Sequence, residues 1–257
     1  MMKKFSLSVL YFAASMISVA QTINIHKTGG AVVSYSLADV EYIDFTIPED
    51  REDLSPEGTE AVDLGLPSGI KWAIMNIGAT KPSDSGLYFA WGETTGYGTN
   101  IFDGRVFDWT SYAWSGSAQS TITKYCTSAS FGTVDNLKTL TADDDAAHVN
   151  WGGQWRMPTS AEFTELMNNT TWTWTTVDGV SGWTFTSKTN SNSIFLPAAG
   201  YRSSNYADFV SNRGRYWSST LLESNQNNAC NLGFGETYVT VYNDLRINAL
   251  TIRAVQK

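Results

Sequence analysis

The chain has few side chains of the types that do covalent or acid–base chemistry. It holds two histidines, His26 and His148, and two cysteines, Cys126 and Cys230. Neither histidine stands at ligand spacing from a cysteine, so no metal site is expected. Asp143, Asp144 and Asp145 bring three carboxylates together, but adjacent on one segment. A glycosidase sets its pair across a cleft instead. Adjacent aspartates at a helix start have a simpler role, because the helix dipole favours anions there. Glu93, Glu223 and Asp244 read as isolated acids. Neither a Gly-x-Ser-x-Gly elbow nor a His-Glu-x-x-His pair occurs. The expectation is a non-catalytic protein with no cofactor.

Recognition chemistry is better represented. Ten tryptophans stand in the chain. Trp109, Tyr112 and Trp114 lie in a stretch from Gly96 to Gln119 rich in Gly, Ser, Asp and Thr. Asn205 and Tyr206 lie in a second polar stretch. Aromatic rings set among small polar residues suit binding at low entropic cost, and their flat faces can stack on sugar rings. These five residues are the candidate ligand contacts. The other eight tryptophans (Trp72, Trp91, Trp151, Trp155, Trp172, Trp174, Trp183 and Trp217) follow strand alternation or motif positions and are expected in the core.

The elements that must position these loops have clear local signals. Met157-Pro158 ends an extended approach, since the residue before proline avoids the α region. Thr159 with Glu162 three residues on is a capping box. Phe163, Leu166 and Met167 then fall on one helical face. After Asn169 the period becomes two, with Trp172 and Trp174 on one face of a strand and Thr171, Thr173 and Thr175 on the other. Thr141 is expected to cap a second, short helix. Val62 to Gly69, Ile70 to Ala79 and Tyr88 to Glu93 read as strands. So do Tyr216 to Thr220, Ala229 to Phe234, Glu236 to Tyr242 and Ala249 to Val255, while Asn225 to Asn228 reads as a polar loop.

Upstream, residues 1–20 read as an export signal. Lys3-Lys4 precede an apolar run from Val9 to Val19, and Ser18-Val19-Ala20 offers small residues for cleavage before Gln21. The run is shorter than the about 20 residues of a membrane helix, and no later stretch is apolar enough to span. Residues 21–47 read as a short β leader turning at Thr28-Gly29-Gly30, with Val40 to Phe45 as a third extended run. Residues 48–60 are acidic and contain two prolines, Pro48 and Pro56, and read as a linker. The main domain spans residues 61–257. In an exported chain Cys126 and Cys230 are either bridged or separately buried. With 25 acidic against 17 basic residues, net −8, and no basic cluster, nucleic acid is not an expected partner.

The strings VDLGLPSGIKWAIMNIGA, YFAWGETT, DDAA followed by NWGGQWRMPTSAEF, NSIFLPAAGYR and YWSST stand in this order. They resemble the Fibrobacter succinogenes major paralogous domain family, abundant in exported Bacteroidetes and Fibrobacter proteins. The resemblance covers roughly Ala61 to Val255. It implies a C-type-lectin-like fold, shared with formylglycine-generating enzymes. That is an α+β domain with two helices flanking a twisted antiparallel sheet and long surface loops. Family members often carry cysteine where this chain has Met75 and Thr170, so no disulfide carries over. The sugar-binding Glu-Pro-Asn and Gln-Pro-Asp strings of C-type lectins are absent.

Sequence thus points to an exported module, periplasmic, surface-bound or secreted, that recognises a glycan or protein at the cell envelope. A structural or adhesin subunit of a surface assembly is the alternative. A formylglycine-generating-type oxidase ranks below both, because the two cysteines are not closely spaced.

Overall fold

In a computed structural model, residues 22–26, 32–36 and 53–257 are described. The export signal, the turn at residues 28–30, the run at residues 40–45 and the start of the linker lie outside them. The chain divides into two units, Met1–Pro48 and Glu49–Lys257. The first contains an antiparallel hairpin of β1 (Thr22–His26) and β2 (Val32–Ser36), in register from Thr22 opposite Ser36 to His26 opposite Val32. The expected leader strands are therefore paired with each other.

The second unit is a β-rich α+β assembly of small antiparallel sheets. β3 (Ala61–Asp63) and β15 (Val255–Gln256) both pair with β4 (Lys71–Ala73), so the two ends of this unit share one sheet. β5 (Phe89–Ala90), β9 (Tyr201–Ser203), β10 (Tyr206–Asp208) and β14 (Ala249–Leu250) make a second sheet, ordered β10-β9-β14-β5. β6 (Thr170–Val177), β7 (Val180–Ser187) and β8 (Ser193–Pro197) form a meander. β11 (Arg213–Leu221), β12 (Asn228–Gly235) and β13 (Tyr238–Leu245) form another.

Two helices complete it. Thr141 stands at the start of a single 3-10 turn (Ala142–Asp144) with Asp143 and Asp144 in it, but it makes no side-chain cap bond. The short α1 (Ala146–Trp151) that follows is capped by Asp145. The Asp145 carboxylate accepts from the N–H groups of Ala147 and His148 and also from Met157, twelve residues away. That distant third donor selects Asp145. Burial pushes its carboxyl above the usual range, opposed by those N–H donors. α2 (Ser160–Asn169) has the expected capping box between Thr159 and Glu162. It buries Phe163 and Leu166, and the Phe163 ring lies 5.4 Å from Trp72. The helix passes directly into β6, where Thr170 Oγ1 donates to the Leu166 carbonyl at 2.6 Å.

In β6, Trp172 and Trp174 share a face, and both rings meet Trp183 edge-on at 5.4 and 5.6 Å. Asp178 and Gly179 both adopt positive φ, 50° and 81°, the backbone of a tight two-residue hairpin turn. Six of the eight tryptophans expected in the core are buried. Trp174 is half-buried, and Trp172 departs from expectation at 39% exposed, since it stands on an outer strand of its meander.

Several expected strands are shorter than their apolar runs. Of Ile70 to Ala79 only Lys71–Ala73 is strand, and of Tyr88 to Glu93 only Phe89–Ala90. The buried side chain of Asn76 explains the first break. Its amide donates to the Ser85 carbonyl and its oxygen accepts from Arg253 Nε at 2.8 Å, tying that stretch to loops instead of a ladder. Residues 53–60 are not a free linker. Leu54 N–H donates to the Trp151 carbonyl at 2.5 Å and Ile74 N–H to that of Glu60. Ala249 to Val255 does not close one sheet but serves two, through β14 and β15. The Asn225 to Asn228 loop does bury a side chain, since the Gln226 oxygen accepts from the Thr127 N–H at 2.8 Å.

Three arginines, Arg202, Arg246 and Arg253, are fully buried. A buried cation is costly unless its donors are all satisfied. Arg253 donates to the carbonyls of Ala73, Ile74 and Phe195 as well as to Asn76. With no carboxylate partner, burial lowers its pKa to about 10. These side chains act as internal pegs, holding irregular segments that no ladder holds.

Candidate functional site: a cleft beside Trp114

The loop from Gly96 to Gln119 folds over a small aromatic core containing Tyr88, Phe107 and Tyr112, with Trp109 and Trp114 packed against it. Its anchor is Glu93. That carboxylate accepts from Arg105 at 2.7 Å and from the Ala113 N–H at 2.8 Å. Arg105 also donates to the Ser111 carbonyl and lies 5.2 Å from the Phe107 ring. The acid that looked isolated in sequence is therefore the clamp that shapes the loop. Glu223 and Asp244 are also paired, with Lys138 and Arg215.

Between this loop and the start of α1 lies an open cleft of about 310 Å³. Its walls include Glu93, Thr94, Thr95, Arg105, Ser111, Trp114, Asp143 and Asp144. Trp114 turns its only polar atom inward, donating from Nε1 to the Gly92 carbonyl at 2.9 Å. Gly92 has φ +78°, and a Cβ there would stand 3.0 Å from that nitrogen, so the close approach needs glycine. On the far side, Lys124 pairs with Asp144, which also accepts from the Tyr125 hydroxyl. The Lys124 ammonium lies 4.8 Å from the centroid of the Trp114 ring. Burial opposes its charge, but the Asp144 carboxylate prevails and raises its pKa.

The five residues proposed from sequence fall in different places. Trp114 lines the cleft. Trp109 is half-buried, edge-on to Tyr112 at 6.0 Å, and outside the cleft wall. Tyr112 is 3% exposed, which corrects its reading as a contact. Its hydroxyl donates to the Trp91 carbonyl at 2.6 Å and accepts from Arg246 Nε at 3.0 Å, so its polar handle is spent inside the core. Asn205 and Tyr206 are exposed on the β9–β10 hairpin, a paired element rather than a loop. A bridge between Phe107 and Ser204 joins that hairpin to the Trp109 loop. Sequence reasoning missed Glu93, Arg105, Asp143 and Asp144 as cleft walls. The available signal was that Glu93 and Arg105 are the charged residues flanking a glycine-rich stretch.

Chemically the cleft offers an apolar wall, hydroxyl groups, the paired charges of Glu93 and Asp144, and the exposed carboxylate of Asp143. Cys126 is buried with its thiol on the Ser128 carbonyl, and burial raises the Cys230 thiol pKa. Both thiols are free, so the bridge allowed by sequence does not form. Among the described residues no three His, Cys, Asp or Glu side chains are grouped to hold a metal ion. Among the same described residues no helix is long and apolar enough to cross a membrane.

Residues 167–255 match the family described as Domain of unknown function (DUF8237). No curated protein and no solved structure matches the chain. The matched segment begins in the last turn of α2 and runs to β15, so it supplies most of the sheets. The residues lining the cleft all lie before it.

Proposed function

We propose that this protein is an exported, non-catalytic recognition module that binds a glycan in the cleft beside Trp114. One observation carries the reading: a concave site of about 310 Å³ with one tryptophan wall and a rim of hydroxyl and charged side chains. That volume sits at the lower end of the roughly 300–1,000 Å³ of small-ligand sites. It suits one or two sugar rings better than a protein partner, which needs on the order of 800 Å² of surface. Of the three cleft carboxylates, Glu93 and Asp144 are occupied by Arg105 and Lys124, and Asp143 alone supplies no second free carboxylate for an acid–base pair, which favours binding over catalysis.

The fold reading that accompanies this is C-type-lectin-like, within the Fibrobacter major paralogous domain family. Its support is the order of the sequence blocks, the two helices and the antiparallel β-rich frame. The export reading rests on Lys3-Lys4, the apolar run and the small residues before Gln21. A surface assembly subunit is the second reading, favoured by β2, where Val32 and Tyr35 are exposed. Light scattering at rising protein concentration separates them: a self-assembling subunit grows in mass and a recognition module stays constant.

A glycan array tests the main reading, run with and without calcium beside Trp114→Ala. Selective binding that Trp114→Ala abolishes at unchanged melting temperature supports it. Binding indifferent to the substitution contradicts it, as does an array with no ligand, which would turn attention to protein partners.

A further inference from the structure

A second surface, sharing no residue with the cleft, carries the features of an anion-reading platform. It lies on the outer face of the β11–β12–β13 meander. Arg213 and Tyr238 stand opposite Gly235, and Arg215 and Thr240 stand opposite Gly233. The other face of the same strands is core, through Tyr216, Leu232, Phe234 and Val239. On the outer face the central strand has no side chains at these two positions. The Tyr238 ring lies across Gly235, 2.8 Å from where a Cβ would stand. The platform is therefore flat and aromatic where a larger residue would have raised it.

Its rings and cations form a continuous ladder. The Arg213 guanidinium sits 4.1 Å from the Phe209 ring centroid, and Phe209 stacks on Tyr201 at 6.0 Å. Arg215 follows, 4.7 Å from Tyr201 and 5.5 Å from Tyr242. Phe209 and Tyr242 are 42% and 53% exposed, so both rings of the ladder reach solvent. The two arginines differ in one respect. Arg215 is neutralised by Asp244. Arg213 makes no side-chain hydrogen bond or ion pair among the described residues, so its fork of donors is held in place by Phe209 and left free. Asp208 is the nearby acid of the adjoining hairpin, and its carboxylate accepts from Ser203.

We propose that this face binds a glycan carrying an isolated carboxylate, a uronic acid flanked by neutral sugars. Arg213 pairs with the planar carboxylate, and Tyr242 and Tyr238 stack on the neighbouring rings. A guanidinium fork matches a planar carboxylate in bidentate fashion, which an ammonium does not. A single free arginine among the described residues, on a chain of net charge −8, selects a sparse anion, because a dense polyanion would be repelled by the rest of the surface. An acidic peptide would satisfy Arg213 but would leave the flat tyrosine faces without ring partners.

The test is titration calorimetry of the protein with a panel of uronate-bearing oligosaccharides, each beside its carboxyl-reduced neutral counterpart. At least one acid form should bind at least about tenfold tighter than its neutral form, the worth of one charge-assisted contact. Arg213→Gln should remove that preference, Arg213→Lys should restore part of it, and Trp114→Ala should leave it intact. Equal affinity for acid and neutral forms across the panel, or no binding, overturns the proposal. So does a preference that survives Arg213→Gln, one that Trp114→Ala abolishes, or an Asp-rich peptide that competes as well as the sugar. Because the cleft and the platform are probed by different variants, failure of one leaves the other standing.

Discussion

Arg246 Nε donates to the Tyr112 hydroxyl at 3.0 Å, and that hydroxyl donates in turn to the Trp91 carbonyl at 2.6 Å. A residue of the turn between β13 and β14 thereby holds the loop that carries Trp114. The same guanidinium donates to the carbonyls of Lys124, Tyr125 and Gln226 and lies 4.8 Å from the Trp91 ring. This one buried cation thereby ties the Tyr112 loop to the backbone of Lys124 and Tyr125. Arg246→Met should cost at least about 3 kcal/mol, because several buried acceptors lose their donor together. Urea unfolding measures it, and a loss below about 1 kcal/mol would show that the peg is dispensable.

Tyr112→Phe isolates one link of that chain. It removes the hydroxyl and leaves both Arg246 Nε and the Trp91 carbonyl unsatisfied, at a cost of about 1–3 kcal/mol. In a double-mutant cycle with Arg246→Met the two losses should fall short of additive, since they break the same interaction. Additive losses would place Tyr112 and Arg246 in independent roles.

Glu93→Gln should loosen the loop rather than unfold the domain. It discharges the partner of Arg105, whose side chain is 16% exposed, and weakens the bond to the Ala113 N–H. The expected readout is faster proteolytic cutting between Gly98 and Ser111, with a stability loss of about 1–3 kcal/mol. Unchanged cutting would mean that the aromatic core alone holds the loop.

Acid should weaken the start of α2. Burial works to raise the Glu162 carboxyl, but bonds from Arg156 and Thr159 and the Arg156 charge outweigh it, and its pKa falls below the ordinary value. A lowered folded pKa means stability that is present above the unfolded value near 4 and is lost as pH falls through the folded value. Glu162→Gln should therefore lower the melting temperature at pH 7 and flatten its fall below about pH 4. A variant whose acid limb matches the wild type would remove Glu162 from that account.

The capping box at Thr159 and the shared face of Trp172 and Trp174 were legible because both signals are local, three residues apart or alternating by two. Thr141 marked the start of a 3-10 turn, but the cap of α1 falls to Asp145, whose third donor, the Met157 N–H, no local pattern contains. The buried arginines were invisible for a related reason. Composition places arginine at the surface, and burial is made tolerable by acceptors far off in sequence, such as the carbonyls of Ala73 and Ile74 for Arg253. At the cleft, Trp114 was found from its polar neighbours, while Tyr112 was misplaced because its hydroxyl partner, Arg246, lies 134 residues on.

The most direct test of the account is calorimetric titration of the tightest neutral glycan from the array into the wild type, Trp114→Ala and Trp172→Ala. Trp172 is the control, exposed and not part of the cleft wall. Trp114→Ala should weaken binding by at least about tenfold, roughly 1.4 kcal/mol, while Trp172→Ala should leave it unchanged. Binding that persists in Trp114→Ala, or that disappears in Trp172→Ala instead, would contradict a ligand seated in the cleft.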